Sequence, residues 1–317
     1  MGSRVSVLAL DLGGSHVACA VVAHGRVLAC STLETDARSM ARLLPEIKAN
    51  LLDCCRASGI EPQACQGLGI GIPSLVDGRT SEILSAFNKF VDLNTADLSA
   101  WSKDAFGLPV RFENDAALAL LGEHHAGAAK GIEDVVLVTL GTGIGVGVML
   151  QHRLLRSHLG HAGSLGGHLV VRFDGRRCAC GAVGCAEAEA STSVLPAIAA
   201  SWPGFERSQL AKEPQLNFAA LFHAKEAGDA VARQILDHCL SVWSALAVTL
   251  VHAYGPQLML FGGGVMRRGE EILGPVRAYV GQHAWQTSRG TTRIEAAALG
   301  EHAALIGAEA LFDDGYA

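Results

Sequence analysis

The residues here that suit chemistry are one carboxylate and a set of glycine-rich turns. Glu113-Asn114-Asp115 follows a short apolar run and precedes a helical pattern. A carboxylate at a strand end, beside an amide, can orient a hydroxyl and take its proton during phosphoryl transfer. Asp115 is therefore the candidate general base, and the plainer role for such an acid is to cap the helix that follows. Gly141-Thr142-Gly143 closes a second apolar run, Val135 to Leu140. Asp11-Leu12-Gly13-Gly14-Ser15 closes a third, Val5 to Leu10. Backbone N–H groups in such turns point at anions, so both turns suit phosphate. Asp11 stands where a carboxylate can hold Mg2+ beside a β/γ-phosphate. Gly262 to Gly264, after the run Leu258 to Phe261, gives a nucleotide base and ribose room to lie against the backbone. Its plainer role is a strand-to-helix turn.

Cys178, Cys180 and Cys185 lie within eight positions on a glycine-rich loop, and His168 stands ten residues upstream. Three thiolates and one imidazole make a closed tetrahedral zinc site, which is structural because no position stays open. Such a site would pin the loop carrying His168 and Glu187. The other cysteines read as buried thiols. His124, His125, His158, His161 and His302 read as surface or loop residues.

The elements that must position these groups follow from periodicity. Val5 to Leu10, Val17 to Val22 and Val27 to Cys30 read as strand, glycine turn, strand, His-containing turn, strand. The same pattern recurs from Val138, with Asp11 aligned to Thr139 and Gly13 to Gly141. Such a repeat implies two similar α/β halves facing each other. Helical spacing covers Asp36 to Ser58, Leu98 to Phe106, Asp115 to Ala126, Gly228 to Tyr254, Ile272 to Val280 and His302 to Phe312. Further strands are expected at Cys65–Ile72, Pro109–Phe112, Leu169–Val171, Leu258–Phe261 and Ile294–Ala297, and a loop at Leu75–Asp92. The domain boundary falls at Asp115, giving an N-terminal α/β domain over 1–115 and a C-terminal one over 116–300, with the zinc loop at 168–187. The last helix, 301–317, is expected to pack back onto the first domain.

The chain has 317 residues, half of them hydrophobic and 18% charged, and a net charge of −6 without a basic block. A large core is expected and nucleic-acid binding is not. No apolar run has the length of a membrane span or the form of a signal peptide, so a cytoplasmic protein is expected.

Together these segments resemble the ROK family of sugar kinases and sugar-responsive repressors. The likeness runs through LALDLGGSHV, GIGIPSLVDG, FENDAALALLGEHHAGAAKG, TLGTGIGVGV, GHLVVRFDGRRCACGAVGCAE and LMLFGGGV, in the family's order. It implies the two-domain actin-like ATPase/hexokinase (ribonuclease H-like) α/β fold, with ATP and Mg2+ as phosphoryl donor and a structural zinc loop. Asp115 would deprotonate a hexose or hexosamine hydroxyl, commonly the 6-hydroxyl. Asn88, Asn114, Glu187 and His168 would bind the sugar. Gly13, Gly14, Ser15, Gly141, Thr142 and Gly143 would contact phosphates, and Gly263 and Gly264 the nucleotide. Family members are commonly oligomeric, so a homodimer or homotetramer is expected. The family's repressors carry a helix-turn-helix before the first glycine hairpin. Only four residues precede Val5 here, so DNA binding is not expected. The chain departs from the family pattern twice. Leu165, or Ser164 if one residue is inserted, replaces a glutamate before His168, and Ser74 replaces a glycine after Pro73. Both changes fall in the acceptor pocket, so a non-catalytic sugar binder or sensor is the alternative to a kinase.

Overall fold

The computed structural model describes residues 6–13, 16–34, 39–85, 90, 92–285 and 287–313. The first strand, β1 (Ser6–Leu12), shows how the fold is built. Alternate residues of a strand face opposite ways. Leu8, Leu10 and Leu12 join one core with Met40, Ile47 and Leu51, while Val7 and Ala9 join another with Leu305, Ile306 and Ala308. Asp11 belongs to the second face by the same alternation. β1 pairs with the antiparallel β2 (His16–Ala23), which pairs with β3 (Arg26–Glu34). Helix α1 (Met40–Ser58) covers the first face. Its first turn is capped from a distance by Asp92, which accepts from Met40 N (2.6 Å), Ala41 N (3.1 Å) and Ser39 Oγ (2.8 Å).

Strand β4 (Leu68–Ile72) follows, then the hairpin β5 (Leu75–Asp77) and β6 (Glu82–Ser85), then helix α2 (Leu98–Phe106) and strand β7 (Val110–Asn114). The expected loop at Leu75–Asp92 is thus corrected in part. Val76 pairs with Ile83 and Asp77 with Glu82, and the turn between them holds Ser81 at a positive φ of 53°. Helix α3 (Asp115–Ala126) leads out of β7.

A second sheet is formed by β8 (Val135–Leu140), β9 (Ile144–Leu150) and β10 (Arg153–Leu154) with two later strands. Helices α4 (Ala186–Ala190), α5 (Leu195–Ala200), α6 (Phe218–Glu226) and α7 (Ala230–Tyr254) come next. They are followed by β11 (Leu258–Gly262), α8 (Gly269–His283), β12 (Arg293–Ala296) and α9 (Ala303–Ala310). The sheet orders are β3-β2-β1-β4-β7 and β10-β9-β8-β11-β12, the same order twice. The repeat extends to the turns. His24 and Gly25 both have positive φ, as do Gln151 and His152, which is the two-residue hairpin geometry that matches strand twist. The expected strand Leu169–Val171 is corrected. Only the bridge Val170↔Cys185 forms, made by Val171 N on Gly184 O and Ala186 N on Leu169 O; it goes no further because Gly184 O also takes Arg172 N and Ala186 begins α4.

The chain divides into two units. One comprises Met1–Glu133, Gly147–Ser164 and Ala297–Ala317, and the other Asp134–Val146 and Leu165–Ala296. Helix α3, placed by the sequence reading after the boundary, groups with the first unit, as does α9. These two helices touch through glycine. A Cβ on Gly307 would lie 1.9 Å from Leu118 O, and one on Gly122 2.0 Å from Ala303 O. In the second unit α7 is long and apolar enough to cross a membrane by length and composition. Its buried residues, among them Ile235, Leu236, Trp243 and Leu250, face the unit's own core.

His125 links α3 to α9 through Glu309, whose carboxylate also accepts from His24 N and Gly25 N at 2.7 Å each. The hydrogen bond to Glu309 raises the His125 pKa against the opposing effect of burial. Burial raises the Glu309 pKa, but the bonds from His125, Gly25 and His24 outweigh it and leave it lowered. A raised histidine stabilises the fold fully below its ordinary value of 6.5 and loses that contribution as pH rises through the elevated value. The Tm advantage of the wild type over His125→Gln is therefore expected to shrink as pH rises above about 6.5. A pH series of melting curves checks this.

Candidate functional site

In the first unit the candidate residues stand at the carboxyl ends of neighbouring parallel strands, where open α/β sheets bind ligands. Asp11 is the last residue but one of β1, Gly71 is its partner on β4, and Glu113 is the partner of Gly71 on β7. At the usual strand spacing, Asp11 and Glu113 are roughly 10 Å apart. Gly71 leaves room between them, since a Cβ there would sit 3.0 Å from Asp11 Oδ1 and 3.1 Å from Leu118 Cδ2. Gly13 lies two residues beyond Asp11, and a Cβ on it would lie 2.6 Å from His16 O, so the turn closes only on glycine. Gly14, Ser15 and Asn88 lie outside the described residues.

Asn114 is the N-cap of α3, accepting from Ala116 N at 3.1 Å and Ala117 N at 3.2 Å. Asp115 is the first residue of the helix. Its Oδ1 accepts from Asn114 Nδ2 at 3.1 Å and from Ala116 N at 2.9 Å, which fixes the carboxylate plane. The plain capping role open to Asp115 thus falls mainly to its neighbour.

Glu113 is a further residue of the site, marked by no local pattern. It is buried, its Oε1 accepts from Asn114 N at 2.9 Å, and its Oε2 takes Arg156 Nη2 at 2.6 Å. A Cβ on Gly78 would meet both partners, at 2.4 Å from Glu113 Oε2 and 2.6 Å from Arg156 Nη1. The β5–β6 turn therefore lies directly on this ion pair. Val76, Glu113, Ala117, Val148, Arg156 and Ser164 wall a small cavity beside it. The available signal was a lone acid in a buried strand and a lone arginine after Leu154-Leu155.

In the second unit Gly262 is paired with Thr139, so the turn Gly141–Gly143 and the run Gly262–Gly264 lie at adjacent strand ends. Gly263 has φ 88°, and a Cβ on it would stand 2.3 Å from Leu140 O. Gly263→Ala is expected to cost about 3 kcal/mol, from the left-handed backbone plus a backbone clash. Guanidinium unfolding checks it. The Gly141–Gly143 turn is held by Thr192 N on Gly141 O and Ser193 N on Thr142 O, both 3.0 Å. Gly143 is where Glu187 arrives. Glu187 Oε2 accepts from Ile144 N at 2.9 Å, and a Cβ on Gly143 would lie 2.4 Å from that oxygen.

His168 follows a tight turn in which Gly167 packs on β9, with no space for a Cβ beside Ile144 O. The ligand atoms of His168, Cys178, Cys180 and Cys185 all lie within 4.8 Å of one another. His168 Nδ1 is 3.4 Å from Cys178 Sγ, and its Nε2 is 4.0 Å from Glu187 Oε1. One ring nitrogen thus faces the thiols and the other faces a carboxylate, the outer-shell pattern of metal-bound histidine. Burial pushes the Cys185 thiol up to about 12, so a thiolate set there needs a cation. Three sulfurs and an imidazole fit zinc.

Glu189, also unforeseen, braces the same loop. It is buried and accepts from Arg176 N, and His238 Nε2 lies 3.0 Å from its backbone O and 3.6 Å from its Oε2. Trp243 Nε1 of α7 donates to Ala190 O at 3.1 Å. Of the remaining cysteines, Cys19, Cys54, Cys55, Cys65 and Cys239 are buried as expected, whereas Cys30 is exposed.

A repeated α/β unit with glycine turns at its strand ends, one of them backed by a Cys3His cluster, defines the actin-like, two-domain class. The profile of the ROK family matches residues 7–315, and the chain belongs to that family. It is 30% identical over 318 residues to the glucokinase of Thermotoga maritima, covering 98% of each chain. It is similar to a ROK family glucokinase from Streptomyces griseus solved in complex with glucose and AMPPNP, at 30% identity and TM-score 0.81, covering 96% of this chain and 98% of that one. It is also 24% identical over 254 residues to the xylose repressor of Bacillus subtilis, covering 80% of this chain and 62% of the repressor.

Proposed function

We propose that this chain is a sugar kinase that transfers the γ-phosphoryl group of ATP to a hexose or hexosamine hydroxyl, the 6-hydroxyl, with Asp115 as general base. The observation that carries it is the Asn114-Asp115 turn, with the carboxylate oriented at the carboxyl end of a parallel strand and the helix cap supplied by Asn114. Full-length likeness to a glucokinase, and to a ROK glucokinase holding glucose with the ATP analogue AMPPNP, supports the substrate class and the donor.

In the proposed reaction Asp115 accepts the hydroxyl proton as the sugar oxygen bonds the γ-phosphorus and the bond to the ADP oxygen breaks. Asp11 is the carboxylate that would hold Mg2+, which would supply charge neutralisation at the phosphates. The turns Gly13–Ser15 and Gly141–Gly143 donate backbone N–H groups to phosphate oxygens, and Gly263 and Gly264 let the nucleotide lie against the backbone. Glu187, His168, Asn88 and Asn114 are assigned to the sugar. His168, Cys178, Cys180 and Cys185 would hold zinc, which would fix the loop that carries Glu187. We further propose that the chain works in the cytoplasm as a homodimer or homotetramer.

Phosphorus NMR of the product tests the site of transfer. The expected signal is a phosphomonoester whose phosphorus couples to a methylene pair. Coupling to a single ring proton would place the phosphate on a secondary or anomeric hydroxyl and exclude the 6-hydroxyl.

A further inference from the structure

The Asn114 amide is fully engaged within the protein, so a sugar hydroxyl reaches it only by exchange for one of these bonds. Its Oδ1 accepts from Ala116 N and Ala117 N, and its Nδ2 donates to Ser74 O and Asp115 Oδ1, each at 3.1 Å. A primary amide offers two donors and two lone pairs, so all four are engaged. Residue 74 shows the reverse. Ser74 is 6% exposed, and its Oγ has no hydrogen-bond partner among the described residues. A buried hydroxyl without a partner lowers stability in a way that alanine or glycine at the same place would not.

We propose that Ser74 is a specificity-determining residue, and that its hydroxyl makes a hydrogen bond to an acceptor hydroxyl adjoining the one that Asn114 takes. The inference rests on the sugar-kinase reading. The Ser74 carbonyl is bound to the Asn114 side chain, and that side chain also holds the Asp115 carboxylate. A sugar whose reacting hydroxyl meets Asp115 therefore brings its next hydroxyls to the wall that residue 74 forms. Ser74 immediately precedes the β5–β6 hairpin, and kinases move such loops when they close on substrate. The serine hydroxyl rotates freely, so it can donate to or accept from the group that arrives.

The test compares wild type with Ser74→Ala and Ser74→Gly. The acceptor is whichever of glucose, mannose, fructose, N-acetylglucosamine and N-acetylmannosamine the wild type phosphorylates with the lowest KM, together with its monodeoxy analogues. Both variants are expected to raise KM on the order of 10- to 100-fold, with kcat within about threefold. One monodeoxy sugar loses its penalty in the variants while the others keep theirs. Tm stays level or rises, because a buried unpaired hydroxyl has been removed. Unchanged KM and unchanged deoxy penalties overturn the inference alone and leave the kinase reading standing. A lower Tm with KM raised equally for every sugar also overturns it, by showing a structural partner for the hydroxyl. No sugar-dependent turnover in the wild type overturns the kinase reading and this inference with it.

Discussion

Asp115→Asn is expected to lower kcat for sugar-dependent ADP release by about 10²- to 10⁴-fold, the usual range for a lost general base. That corresponds to roughly 3–5 kcal/mol of barrier. The fold should be untouched. The Asn114 side chain caps α3, and an asparagine at 115 keeps an oxygen for Ala116 N. Sugar KM should change little, since the substitution removes a proton acceptor and not a contact surface. The checks are steady-state kinetics and a melting curve on the same preparation. A variant that melts like wild type and turns over like wild type would remove Asp115 from the chemistry.

Removal of the metal is expected to have the second large effect. Structural zinc contributes on the order of 10 kcal/mol of apparent binding energy in small zinc domains, and that energy is also folding energy. Here the ligands His168, Cys178, Cys180 and Cys185 lie on one loop, so the loss should be local. The loop should loosen and α4 with it, and Glu187 should leave its 2.9 Å bond with Ile144 N. Chelation, or Cys185→Ser, is expected to release one zinc per chain, to lower Tm, and to weaken acceptor binding more than nucleotide binding. Elemental analysis, calorimetry and separate titrations with sugar and nucleotide measure the three effects. Unchanged Tm and unchanged sugar affinity in protein verified as zinc-free would contradict a structural metal.

Much of this was legible in the sequence, and the reasons differ by residue. The strand–turn–strand repeat was visible because glycine and period-two patterning are local signals, and the two sheets share one strand order. The Cys3His set was visible because its spacing is itself the signal, and the four side chains do converge. What stayed hidden depends on contacts distant in sequence. Nothing local announces that Asp92 caps α1, or that Glu113 pairs with Arg156. Nor does it show Glu189 supporting the backbone of the zinc loop. Each is an acid whose partner lies 13 to 52 residues away. The β5–β6 hairpin was missed because its strands are three and four residues long, too short for alternation to show. Leu169–Val171 was misjudged for a related reason. Three apolar residues imitate a strand, yet the adjoining chain turns to present His168.

Sugar phosphorylation with Asp115 as base is tested by ADP release with Mg-ATP across hexoses, ketohexoses and N-acetylhexosamines, run in parallel on wild type and Asp115→Asn. The prediction is turnover on at least one sugar in the wild type, absent without sugar and reduced at least about 100-fold in the variant. Sugar binding without ADP release in zinc-replete wild type, or equal turnover in the two proteins, would contradict it.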